Sequence, residues 1–144
     1  MKAEFSLLKV RILIVTVAML VFGAPLAADS ITTKTFNKLT EAQEMMAQDN
    51  IEAAIEELEL LLEGVQDQSL DRALTLQMLG YAEMSADRFE VAIGHLRSSL
   101  ALNKLPESVK YNVGYMVAQL YAALERYDEA LDFAADWFAS LESP

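Results

Sequence analysis

Laid over itself at a period of 38, this chain matches itself three times, and that periodicity constrains its fold more than any single motif. Ile51, Phe89 and Tyr127 fall in register, as do Ala54, Ala92 and Ala130, and so do Ile55, Ile93 and Leu131. Ahead of them Ala42, Gly80 and Ala118 align, each at the same distance before the repeated Ala. A period between about 20 and 50 residues is the mark of an array of small supersecondary units, none of which buries its apolar face alone.

Residue spacing says what those units are made of. After residue 28, Gly and Pro are rare and no run of alternating β-branched residues occurs, so strands have little support. Val109, Val113, Met116, Val117, Leu120, Tyr121 and Leu124 form one apolar stripe at helical spacing, and Phe89, Ala92, Ile93, Leu96 and Leu100 form a second. The pattern predicts an all-α chain with helices at about 32–48, 50–63, 70–86, 88–102, 106–124 and 127–141. Two helices approach closely only where a small residue leaves room for the partner's large one, so Gly80 and Ala92 are an expected meeting point. Asp49-Asn50, Asp87-Arg88 and Arg126-Tyr127-Asp128 put polar residues where the second helix of each pair starts, the place for an N-cap. Ser69 is placed to cap the third helix, and Pro106 suits the first turn of the fifth.

The N-terminus has a different character. Lys2, Lys9 and Arg11 precede an almost unbroken apolar run from Ile12 to Phe22, which ends at Gly23-Ala24-Pro25 and the small-residue stretch Leu26-Ala27-Ala28. That order predicts an export signal over 1–28, cleaved after Ala28; an uncleaved anchor is the alternative, since Ile12 to Ala28 approaches the length of a span. Residues 29–144 then form the repeat domain, with units at about 35–66, 70–104 and 106–141, outside the cytoplasm and tethered to a membrane only if the segment stays uncleaved. The absence of Cys rules out both a lipidated Cys and a disulfide. Of 11 basic and 22 acidic residues, Lys2, Lys9, Arg11 and Glu4 lie in the first 28, which leaves 8 basic against 21 acidic and a formal charge of −13 beyond them. Such a body argues against nucleic acid, which needs a clustered Lys/Arg face, and against anionic lipid.

The repeated helix pair resembles the tetratricopeptide repeat (TPR) family. Leu76, Leu79, Gly80, Phe89, Ala92, Leu96 and Ser99 follow that family's pattern, and Val117, Ala118, Tyr121, Tyr127 and Ala130 follow it again, with Arg126-Tyr127-Asp128-Glu129-Ala130-Leu131 close to its intra-repeat turn. The period of 38 departs from the family's 34, Glu83 replaces the usual aromatic, and Lys38 and Glu41 stand where large apolar residues are common. More narrowly, Leu76-Gln77-Met78-Leu79-Gly80-Tyr81, Tyr111-Asn112-Val113-Gly114-Tyr115 and Trp137-Phe138 are similar to exported TPR proteins of Gram-negative bacteria described as components of a TonB-type energy-transduction system. The resemblance implies a right-handed solenoid of about three helix-turn-helix repeats after the signal helix. It also implies a concave groove on the first helices, lined by Gln43, Met46, Leu74, Gln77, Tyr81, Met84, Asn112, Tyr115 and Gln119. In that groove amides would hold a peptide backbone while Tyr and Met give adaptable apolar contact, although Leu74 and Met84 suit helix packing equally well.

Catalysis finds no support. His95 is the sole imidazole, no Cys nucleophile exists, and Glu56, Glu57, Glu59 and Glu63 read as the solvated face of their helix. Asp67, Ser69 and Asp71 alternate like calcium ligands, but the loop lacks the Gly at its sixth position and has Met78 at its twelfth, so neither metal nor cofactor is expected. The reading is a non-enzymatic periplasmic scaffold for a protein or peptide partner with a basic surface, an accessory of a TonB-type system. The alternative is a self-associating envelope protein linked to cell-wall or polysaccharide machinery. The end carrying Trp137, Phe138 and Leu141 is expected to pair with another protomer or with a partner protein, unless Trp137 packs back within its own repeat.

Overall fold

In a computed structural model of the chain, which describes residues 30–141, the described residues form six α-helices and no strand. They are α1 (Thr33–Ala47), α2 (Ile51–Gly64), α3 (Leu70–Ser85), α4 (Phe89–Ala101), α5 (Glu107–Ala123) and α6 (Tyr127–Ala139), with every boundary close to expectation. The expected signal segment lies outside the described residues. Helices pack on their neighbours in the chain, α1 on α2, α2 on α3, and so on to α6, and α1 also touches α3.

The repeat step is built into the turns. Asp49, Asp87 and Glu125 each take a left-handed conformation, with φ of 65°, 60° and 59°. At each, the N–H of the following residue reaches back across the turn: Asn50 to the Met45 carbonyl, Arg88 to that of Glu83 and Arg126 to that of Tyr121, all at 2.9 Å. This closes the first helix of each pair and reverses the chain. The polar turn residues therefore terminate the first helix instead of capping the second; no side chain caps α2, α4 or α6. Ser69 does cap α3, its hydroxyl accepting from the Arg72 N–H at 3.0 Å, and Pro106 stands at the N-cap of α5.

An ion-pair ladder repeats with the same step. Arg88 reaches from the second turn back to Glu52 on α2 at 2.5 Å, and Arg126 from the third turn back to Glu90 on α4 at 2.6 Å. Arg88 also meets the buried Glu83 carboxylate at 3.1 Å, where the TPR pattern has an aromatic. One step later that place is taken by Tyr121, and the Arg126 guanidinium lies 4.9 Å from its ring centroid. Exposed pairs of this kind add little stability; they link successive helix pairs at the same step.

The core runs along the array. The stripe of α5 is buried from Val109 to Tyr121, and Leu39, Leu58, Leu79 and Leu96 are fully enclosed. Gly80 is where α3 and α4 meet: an added Cβ would stand 2.5 Å from Leu96 Cγ and 3.4 Å from the Ala92 carbonyl. At α1 the buried Asp71 carboxylate accepts from the Thr32 N–H at 3.0 Å, the Thr32 hydroxyl at 2.6 Å and the Thr35 hydroxyl at 2.9 Å. That cluster pins the start of α1 to α3.

Candidate functional site

The nine residues expected to line a groove do not form one open surface. Leu74, Gln77, Tyr81 and Met84 on α3 are buried, Gln43 and Met46 on α1 and Asn112 on α5 are half-buried, and only Tyr115 and Gln119 are exposed. Contact with α1, α2 and α4 encloses α3, so that its polar groups satisfy one another: Gln77 Nε2 donates to the Tyr81 hydroxyl at 2.9 Å. Burial raises the Tyr81 pKa above the usual phenol value, with the Gln77 bond opposing. The signal for this was in the sequence, because Ala73, Leu74, Leu76, Met78, Leu79, Ala82 and Met84 place apolar side chains on every side of α3, and a helix apolar all round is buried.

The expected assembly end divides. Leu141 is buried, Phe138 is exposed, and Trp137 lies back on α5, its ring centroid 5.4 Å from that of Tyr111 and its edge against Gly114. A Cβ at Gly114 would overlap the indole Nε1, Cε2 and Cδ1. Local sequence explains the fit. The positions one period earlier are Leu76 and Ser99, so pair three exchanges large for small on one helix and small for large on the other. The indole N–H is buried there without a hydrogen-bond partner.

Two open features remain around α4, α5 and α6. One is a cleft of about 420 Å³ whose lining includes Arg97, Lys110, Tyr121, Asp132, Phe133 and Asp136. Arg97 is committed there, donating to the Tyr121 hydroxyl at 2.8 Å, and Lys110 donates to the Ser140 carbonyl at 3.1 Å. The cleft thus brings charges together but holds neither imidazole nor thiol to act as a nucleophile. Among the described residues no cluster of three or more acidic, His or Cys side chains could hold a metal. His95 is half-buried on α4, away from the cleft lining, and Glu56, Glu59 and Glu63 are exposed on α2.

The second feature is the outer face of α6. Tyr127, Leu131 and Phe138 are 61%, 70% and 50% exposed, and they lie on one stripe of the helix. The equivalent Ile55 and Ile93 are each 4% exposed, and Ile51, Leu62, Phe89 and Leu100 are partly buried against the core. Tyr111 and Tyr115 on α5 are also about half exposed. Exposed apolar patches are the kind of surface at which proteins, membranes or ligands bind. No helix among the described residues is long and apolar enough to cross a membrane. No family model, curated protein or solved structure matches this chain.

Proposed function

We propose that this protein is an exported, non-enzymatic scaffold, a right-handed solenoid of three TPR-like repeats that binds another protein. The observation that carries the binding role is the bare stripe of Tyr127, Leu131 and Phe138, whose counterparts in α2 and α4 are covered. The repeat reading is supported by the recurrence of turn and ladder from one helix pair to the next. Export to the periplasm and an accessory role in a TonB-type system rest on the order of residues in 1–28 and on the resemblance carried by 76–81 and 111–115. The binding surface in this reading is the exposed side of α5 and α6, with Tyr115 and Gln119 retained from the expected groove.

The test is photocrosslinking in intact envelopes, with photoreactive residues at Tyr115 and Phe138 and identification of adducts by mass spectrometry. Adducts with an energising complex of the inner membrane are expected. Adducts with copies of this chain alone would turn the reading into the self-associating envelope protein. Binding to a basic partner also weakens as salt rises; salt-independent capture would remove the charge argument.

A further inference from the structure

The bare face of α6 has two precedents in the same molecule, and both are covered. Ile55 and Ile93 are buried, and α3 packs on α2 as α5 packs on α4. Each covering helix ends in a left-handed turn followed by an Arg, and that Arg reaches back to an acid at the start of the covered stripe: Arg88 to Glu52, Arg126 to Glu90. One step further along, the acid of this pair is Asp128 on α6. It is exposed and makes no ion pair among the described residues.

We propose that α6 docks an amphipathic helix of another protein, laid along Tyr127, Leu131 and Phe138 as α5 lies along α4, with an Arg or Lys after that helix pairing with Asp128. The proposal rests on the reading of the chain as a binding scaffold and adds where the partner sits and what chemistry it brings.

Charge selects this occupant. Along α6 the open edge of the stripe is bordered by Asp128 and Asp132, and the helix contains no Lys or Arg. Arg126, at its start, is already held by Glu90 and Glu129. Two copies meeting through α6 would set acid against acid, which is unfavourable. A head-to-tail contact, α1 of one copy on α6 of the next, would bring Asn50 to the place of Arg88 and Arg126 and leave Asp128 unpaired. A helix with an apolar stripe and a basic end satisfies both the face and its edge.

The chain itself supplies the probe: a peptide of residues 107–126, which is α5 with its following Arg126, the natural cover of α4. Binding of this peptide to the full chain is read by fluorescence anisotropy. Leu131→Asp and Asp128→Lys should each weaken it about tenfold. A peptide carrying Arg126→Glu should bind the wild type poorly and recover on the Asp128→Lys protein. Leu131 and Asp128 are both exposed, so circular dichroism and Trp137 emission should remain those of the wild type. Affinity indifferent to Leu131→Asp, or no recovery in the charge swap, overturns the proposal.

In intact envelopes a photoreactive residue at Leu131 should join to a helix of another protein that has Lys or Arg at its end, and reversing that charge should be rescued by Asp128→Lys. Adducts to a second copy, or to residues 1–29 of this chain, overturn the proposal by naming another occupant. Capture of a protein at Tyr115 with none at Leu131 defeats the α6 proposal and leaves the scaffold reading standing. Silence at both positions defeats the two together.

Discussion

Gly114→Ala is a single methyl group placed where the molecule has no room for it. The added Cβ overlaps three atoms of the Trp137 indole, closer than the 2.5 Å approach that a Cβ at Gly80 would make to Leu96. Two responses compete. If α5 and α6 move apart to keep the ring in place, overpacking costs about 1–3 kcal/mol. If the ring leaves the notch, its contact with Tyr111 and part of its buried area are lost, about 2–3 kcal/mol for a half-buried indole. The cheaper response caps the loss at about 3 kcal/mol, and the better helix propensity of Ala returns about 1 kcal/mol. A net loss of up to about 2 kcal/mol follows, a fall in Tm of up to roughly 10 °C. Gly94→Ala is the control, because nothing lies within 4 Å of its Cβ and only the propensity gain of about 1 kcal/mol remains. Thermal melts by circular dichroism measure both. Trp137, the only tryptophan, distinguishes the routes, since an expelled ring shifts its emission to the red. Adding Trp137→Leu should recover much of the loss. A Gly114→Ala protein as stable as Gly94→Ala, with unchanged emission, would refute the notch.

Asp71→Ala removes the acceptor for three donors at the start of α1 and should cost about 1–3 kcal/mol, seen as faster amide exchange confined mainly to α1. Burial holds the Tyr81 hydroxyl protonated above the ordinary phenol value, so the unfolded chain loses its proton first and stability declines as pH rises past about 10. Denaturant midpoints between about pH 9 and 11 should show that slope, and Tyr81→Phe should flatten it while leaving Gln77 without its partner. Arg126 lowers the Glu129 pKa, first through their hydrogen bond, so that pair contributes above the ordinary carboxylate pKa and its contribution is lost as pH falls through the lowered one. Arg126→Ala should bring the Glu129 titration, followed by NMR, back up to the ordinary range.

The helices were legible because their stripes are long and their breaks are short: seven apolar positions from Val109 to Leu124 leave little choice of period. The turns were placed correctly and explained wrongly. Asp and Asn suit both an N-cap and a left-handed helix end, and sequence alone does not separate the two. Glu125 at the third turn, a residue with no special liking for positive φ, shows that the chain reversal imposes the conformation at all three. The burial of Gln77 and Tyr81 was missed for a different reason. Carrying positions over by resemblance assigned the first helices to an open side, whereas contact with three other helices buries 13 residues of α3. The Trp137–Gly114 fit is visible only when one position on each of two helices is compared, at once, with Ser99 and Leu76 a period earlier.

Because each helix leans mainly on its chain neighbours, the molecule opens from its ends more easily than from its middle. No residue of α6 is buried, while 13 of α3 are. Amide hydrogens along the chain therefore exchange on a graded clock, fastest in α6 and slowest in α3. A partner seated on Leu131 would slow the fast hand of that clock and leave the slow one unchanged. Occupancy of the α6 face would therefore be readable by exchange mass spectrometry, from the protection of α6 relative to α3 alone.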